Sequence, residues 1–334
     1  MQEFSGYEYI LIDIANQYGK DKLLWEERIE WTLSNFDVLE DMIDSAKKPY
    51  LFAKAINALN TVHADKQTNH LIGLDACASG ISIMGLLIGC RKTLEQTNLI
   101  NTGKVQDPYT NVTVELNRLL GSEIEYDRED IKYVLMPLGY GSKASPKLFF
   151  GENTPELKAF YKARQNLLPG TIIVSDDIRS LWNSNSPEYT WTLPNGHTAK
   201  CMVKDQEPTK LRIHEVYGMG ITFTYQYTKI GICSNYDTPI IANIIQSIDA
   251  YVCQEMIGRC HKDGFHILTI HDAMYCHVNN ANKMRRNYLQ ICYEICKSNL
   301  LQDIATQLLG YEVEVEKMEY GLEDLILEAD YPIC

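Results

Sequence analysis

No pair of the ten cysteines in this 334-residue sequence forms a Cys-X-X-Cys motif, and the closest two, Cys292 and Cys296, lie one helical turn apart. That argues against a zinc site, and thiols so scattered read as reduced, mostly buried apolar side chains of an intracellular protein. Long apolar runs are missing as well. The longest uncharged stretch, Ala76 to Cys90, is too short to cross a bilayer, and Met1-Gln-Glu-Phe-Ser-Gly-Tyr-Glu8 lacks the basic and apolar parts of a signal peptide. The expectation is a protein with no membrane contact. There is no repeat and no low-complexity segment. Positive charge is short, 31 Lys and Arg against 44 Asp and Glu for a net −13, so a polyanionic ligand must meet a local basic surface. A hydrophobic content of 45% over this length can bury large cores in two or more subdomains.

What is present is a set of placed charges. Leu71-Ile-Gly-Leu-Asp75-Ala-Cys-Ala-Ser-Gly80-Ile81 runs apolar residues into one carboxylate and then into a small-residue turn that opens an apolar helix. Asp75 alone reads equally well as a helix N-cap. Phe265-His-Ile-Leu-Thr-Ile-His271-Asp272 repeats the pattern, and alone it reads as a turn. Between them lies Arg128-Glu-Asp-Ile-Lys132-Tyr-Val-Leu-Met136-Pro-Leu-Gly-Tyr140-Gly-Ser-Lys143. Arg128 and Lys132, four apart, share one helix face and could grip a polyphosphate, with Tyr140 further along offering a ring and a hydroxyl. The plainer reading pairs both cations with Asp127, Glu129 or Asp130 on an exposed helix start. Two isolated acids at strand ends suggest a shared metal site, and the order carboxylate, cationic helix, carboxylate is uncommon.

These three segments resemble motifs A, B and C of the single-subunit RNA polymerases of bacteriophages and mitochondria. The resemblance spans almost the whole chain. Gly6-Tyr-Glu-Tyr9, Ile14 to Lys22 and Glu27-Arg-Ile29 are similar to the approach to the family's palm. Val105-Gln-Asp-Pro-Tyr109, Trp191-Thr-Leu-Pro-Asn-Gly196 and Gly321 to Tyr331 resemble three further family segments, the last its extreme C-terminus.

The resemblance implies a DNA-dependent RNA polymerase that joins ribonucleotides by a two-metal mechanism. It assigns two Mg2+ ions to Asp75 and Asp272, with the backbone carbonyl of Ala76 assisting. Arg128, Lys132 and Lys22 then bind the triphosphate, and Tyr140 packs at the base and ribose. Gly80, Met136, Gln246 and His271 complete the residues facing the nucleotide. Candidate contacts to DNA template and nascent RNA are Lys143 and Lys147, together with Lys210, Arg212 and His214 of a hairpin over residues 203–227 that corresponds to the family's promoter-reading loop. An ordinary exposed hairpin fits those residues equally well.

A DNA polymerase of the related family is the alternative enzyme. Such enzymes carry a glutamate five residues after the motif A aspartate, an aromatic ring four after the motif B lysine and a glutamate after the motif C aspartate. This chain has Gly80, Met136 and Ala273 there, which leaves room for a ribose 2′-hydroxyl. A primase-like enzyme shares the same chemistry, and an inactive nucleic-acid-binding paralogue is disfavoured by the retained Asp75, Arg128, Lys132, Tyr140 and Asp272. The sequence also departs from the family pattern. Gln246 stands at a histidine that helps recognise ribose, Ala76, Cys77 and Ala78 replace Gly, Ser and Cys, and Pro137 is expected to kink the motif B helix.

The family's N-terminal half, with its thumb and an Asp-X-X-Gly-Arg element, has no counterpart here. The expectation is the catalytic subunit of a split phage enzyme, acting in the cytoplasm of an infected bacterium. A smaller chain would supply the thumb and N-terminal region, and accessory promoter or single-stranded-DNA-binding proteins could join it. The expected fold is α+β, a helix-rich right-hand palm and fingers with a small antiparallel palm sheet and no thumb or N-terminal domain. The palm takes residues 1–103 with motif A, the fingers 104–245, and the palm again 246–334. Periodicity predicts helices within 25–59 and over 107–120, 155–168, 239–259 and 281–300, and a strand-turn-strand unit over 265–278. Pro169-Gly170 is expected to end a helix, and Asp176-Asp177 to lie in a loop or N-cap.

Overall fold

The computed structural model describes residues 1–121, 125–183, 186, 188–202, 205–213, 221–229 and 238–334. Ser5 starts α1 (Gly6–Tyr18) through a reciprocal pair with Glu8, and Gly19 closes it at φ 111°, a conformation that costs glycine little. The stretch expected to be helical from 25 to 59 is broken into α2 (Trp25–Ser34), two 3-10 turns and α3 (Pro49–His63), which opens with proline at its first position. Both helices pack on α1.

β1 (Leu71–Asp75) follows, with Ile72 and Leu74 fully buried. Helices α4 (Ser79–Ile88) and α5 (Arg91–Gln96) come next. A second apolar core then forms around α6 (Pro108–Leu120), α7 (Arg128–Gly139), α8 (Ala144–Phe150) and α9 (Pro155–Leu167), joining Val112, Leu116, Ile131, Val134, Phe150 and Phe160. Pro137 falls in the last turn of α7, two residues before its end. Pro169 does not merely end α9. It occupies the first turn of α10 (Pro169–Ser180), where a missing N–H costs nothing. Asp176 and Asp177 therefore sit inside a helix rather than in a loop or at a cap, and Asp176 pairs with Arg179 at 3.0 Å.

β2 (Glu188–Thr192) and β3 (Thr198–Met202) form one antiparallel hairpin, and β4 (Asp205–Ile213) and β5 (Ile221–Lys229) a longer ribbon. The chain returns through α11 (Thr238–Lys262), β6 (Leu268–Ile270), β7 (Ala273–His277), α12 (Ala281–Lys297), α13 (Leu300–Leu309) and α14 (Glu323–Leu327). The result is the expected α+β class, helix-rich with small antiparallel sheets.

The sheet that matters for the site has the order β1-β7-β6, with β7 in the middle. It joins strands almost two hundred residues apart and lies in the larger core with α1, α3, α4, α11 and α12. Gly73 faces Tyr275 across the ladder, and a Cβ there would fall 2.3 Å from the tyrosine Cε1, so only glycine lets this ring lie flat on the sheet. Nearby, Trp25 is wholly buried, with the guanidinium groups of Arg28 and Arg285 4.3 and 5.0 Å from its ring, and stacks on Tyr331.

Candidate active site

Asp75 is the last residue of β1 and pairs in register with Ala273, so Asp272 stands beside it at the open end of the sheet. The Ala76 N–H donates to the Asp272 carbonyl at 3.4 Å, which ties the two acid-bearing segments together. Asp75 is not the N-cap of the following helix. Ala78 holds that position, in the left-handed region at φ 52°, and its side chain caps nothing.

His271 and Asp272 are the two residues between β6 and β7, and His271 is also left-handed at φ 55°. A two-residue hairpin demands positive φ at such a position, which is usually met by glycine. Non-glycine residues held there cost about 1–3 kcal/mol each, and such strain gathers where function over-determines the backbone. His271 directly precedes Asp272, and Ala78 follows Asp75 by three residues.

Burial raises the Asp75 carboxyl above its ordinary range and the neighbouring Asp272 charge pushes the same way, only partly offset by Lys48 and Lys22. Asp249, on α11, is a third carboxylate at this place. Burial and then Asp272 push it up to about 6, while the Ser79 hydroxyl, donating to its Oδ2 at 3.3 Å, pulls it back. Carboxylates that repel one another in partly dry surroundings suit a cation, and hard oxygen donors suit Mg2+. Among the described residues no three His, Cys, Asp or Glu side chains converge into a metal cage, so substrate oxygens and water would have to complete any shell.

Tyr140 is the C-cap residue of α7, directly after Gly139. Its hydroxyl lies where a side chain on Gly80 would begin, 2.8 Å from an ideal Cβ there. Burial, then Asp249 and Asp272, raise the phenol, and a hydrogen bond with Ser79 opposes them. A cavity of about 100 Å3 opens between Ser79, Gly80, Tyr109, Met136, Tyr140 and Asp272. Residues from all three sequence segments thus share one small space.

The cations behave less uniformly. Arg128, at the first position of α7, donates to Asp107 at 2.7 Å and also pairs with Glu129. Lys22 reaches the same Asp107 carboxylate at 3.9 Å, so these two meet although 106 residues separate them. Lys132, one turn beyond Arg128 and half-buried, makes no ion pair among the described residues. Gln246 and His271 are exposed, Gln246 one turn before Asp249 on α11. Lys143, Lys147 and Lys210 are exposed and do not line the cavity, and Lys147 pairs with Glu152 at 3.1 Å. Lys210 sits on β4, whereas His214 and the side chain of Arg212 lie outside the described residues.

Sequence reasoning passed over Asp249, Ser79 and Asp107 as site residues. The signal for Asp249 is a lone acid one residue after Ile248 on a helix whose Ile244, Ile245 and Ile248 are fully buried. Asp107 doubles as the N-cap of α6, accepting from Tyr109 and Thr110 N–H, and that local role conceals the distant one.

No protein-family model matches the chain. It is 21% identical over 392 aligned positions to DNA-directed RNA polymerase 1, mitochondrial, of Arabidopsis thaliana, covering 98% of this chain and 39% of that protein. A probable DNA-directed RNA polymerase of Agaricus bitorquis is 26% identical over 201 positions, 51% of this chain and 18% of the relative. The chain thus spans well under half the length of either. Along nearly all of its own length, then, the chain is similar to a plant mitochondrial DNA-directed RNA polymerase.

Proposed function

We propose that this chain carries the nucleotidyl-transfer centre of a DNA-directed RNA polymerase. The observation that carries the reading is the β1-β7 pairing, which sets Asp75 and Asp272 side by side with the Asp75 carboxyl raised by burial and by its neighbour. Asp75 and Asp272, with the Ala76 carbonyl, would hold Mg2+. The two ions, when bound, offset charge on the triphosphate and favour attack by the primer 3′-hydroxyl.

The protein's own groups bind and orient. Arg128 and Lys22 converge on Asp107, and an incoming triphosphate would take over that carboxylate's place between them, with Lys132 free to join. Tyr140, Gly80, Met136, Gln246 and His271 would face the nucleotide, with the Tyr140 ring closing the space beside the sugar. In this reading the β1-β7-β6 sheet is the palm, the core of α6 to α9 belongs to the fingers, and the β4-β5 ribbon with Lys143 and Lys147 meets nucleic acid. The same proposal includes a second polypeptide that supplies thumb and N-terminal region, in a phage enzyme working in the host cytoplasm.

Primer extension on a DNA template with Mg2+ and ribonucleoside triphosphates, using the chain with its partner, tests this. Asp272→Asn should lower incorporation by at least about a hundredfold, the scale at which losing one preorganised electrostatic group acts. Synthesis at the wild-type rate by Asp272→Asn would refute the assignment.

A further inference from the structure

The charges that begin at Arg128 continue past Lys22. Arg128 and Lys22 share the Asp107 Oδ2 atom at 2.7 and 3.9 Å, and the Lys22 ammonium also lies 3.7 Å from Asp21 Oδ2. Lys47 meets the other oxygen of Asp21, Oδ1, at 3.6 Å. Three cations thus alternate with two carboxylates. The exposure of the acids rises from 9% at Asp107 to 28% at Asp21, so the row runs toward solvent. Its outer end is fixed by the backbone. The turn after α1 passes through Gly19, whose added Cβ would stand 3.4 Å from the Lys47 Cβ, and the amides of Lys47 and Lys48 donate to the Tyr18 and Gln17 carbonyls at 3.2 and 3.0 Å. Burial works to raise the Asp21 carboxyl, yet Lys22 and Lys47 outweigh it and hold it below the ordinary range. Both lysine side chains keep at least half of their surface exposed, 52 and 61%, so each can exchange Asp21 for another anion.

We propose that Lys22 and Lys47 form a holding site for the pyrophosphate released by nucleotidyl transfer, and that Asp21 sets how firmly they hold it. The inference rests on the RNA-polymerase reading above. In an incoming nucleotide the α-phosphate is held at the Asp75 and Asp272 pair, and its tail extends to Arg128 and Lys22. In the transfer the primer 3′-oxygen, its proton passed to water, bonds the α-phosphorus. The bond from that phosphorus to the bridging oxygen breaks, and pyrophosphate leaves with the electron pair. The product is no longer tethered, so it can shift one step along the row, from between Arg128 and Lys22 to between Lys22 and Lys47. There its oxygens replace those of Asp21 on the same two ammonium groups, with more negative charge. Asp21 competes for both lysines throughout, so the hold stays weak enough for release into solvent.

Single-nucleotide extension of a primed DNA template by the chain with its partner, with ATP, Mg2+ and added pyrophosphate, gives two quantities: the KM for ATP and the pyrophosphate concentration that halves the rate. Lys47→Ala should raise the half-inhibiting concentration about threefold, the worth of one exposed charge pair, and shift the KM for ATP by less. Lys22→Ala should raise both, because Lys22 serves substrate and product. Asp21→Asn should lower the half-inhibiting concentration by about the same factor, since it removes the competing charge, and the effect of Lys47→Ala should shrink as salt is raised. A Lys47→Ala enzyme with unchanged pyrophosphate inhibition, or one that weakens ATP and pyrophosphate alike, overturns the proposal. Wild-type protein that extends no primer overturns the polymerase reading instead. Titration calorimetry of magnesium pyrophosphate into wild type and Lys47→Ala then decides the holding site: weaker binding by the variant supports it, and equal affinities or no binding to wild type overturn it.

Discussion

Gly80→Ala offers the sharpest test of how Tyr140 is held. The added Cβ would stand 2.8 Å from the Tyr140 hydroxyl oxygen, 3.0 Å from Cζ and 3.3 Å from Cε1, so the ring must withdraw by several tenths of an ångström. It is half-buried and borders the cavity, so it can move, and the overpacking cost belongs at the low end of the usual range, about 1 kcal/mol. Alanine in place of glycine in α4 returns up to about 1 kcal/mol of helix propensity. The two terms nearly cancel. A melt of Gly80→Ala should therefore stay within roughly 3 °C of wild type. Activity should not follow stability, because a ring displaced toward the cavity occupies sugar space, and misplacement on the ångström scale costs up to about a hundredfold. We expect ribonucleotide kcat/KM to fall by at least roughly tenfold while the melt barely moves. A variant with wild-type melt and wild-type extension would refute the contact between Tyr140 and Gly80. One that melts much lower would show that the ring cannot yield.

Gly73→Ala makes the opposite case: its Cβ would enter the Tyr275 ring at 2.3 Å inside the sheet, so chemical denaturation should register a loss of about 1–3 kcal/mol. Asp249 should show itself in the pH dependence of stability. Its folded pKa of about 6 lies above the ordinary 3.8, so its contribution is present below about pH 4 and is lost as pH rises through 6. Two units correspond to about 3 kcal/mol, which solvent access reduces to about 1–2. Asp249→Asn should accordingly be more stable than wild type by that amount at pH 7.5 and not at pH 4, read from urea midpoints at both. Asp107→Asn should remove the carboxylate that competes for Arg128 and Lys22 and tighten ATP binding by a factor of about 3, whereas Arg128→Ala should weaken it by about 30, in titration calorimetry.

Local pattern carried much of the fold. Periodicity marked α6 and α9 but not α1, and the strand-turn-strand unit expected over 265–278 lies at 268–277. It failed where a signal has two uses, as at Pro169, which stops one helix and starts the next. Asp75 and Asp272 stood out as acids ending apolar runs and suggested a shared metal site, but no local rule pairs strands two hundred residues apart, so their adjacency in one sheet was not legible from the residues beside them. Asp249 and Asp107 were hidden for a related reason. Each meets its partners through space, across α4 or α7, and a side chain's distant neighbours leave no trace in the residues beside it.

The sheet also sets an order of events during synthesis. Asp75 is made early, but its strand finds no partner until β7 has left the ribosome, and Trp25 waits longer still, for Arg285 and Tyr331. Contacts of such separation close slowly, and until then the apolar edge of β1 stays open to wrong partners. Any nascent or truncated chain that stops before residue 272 carries half of the acidic pair and none of its sheet. Incomplete copies should therefore be silent as enzymes and prone to aggregate, so that assembly of the acidic pair itself reports that the chain has been translated through β7.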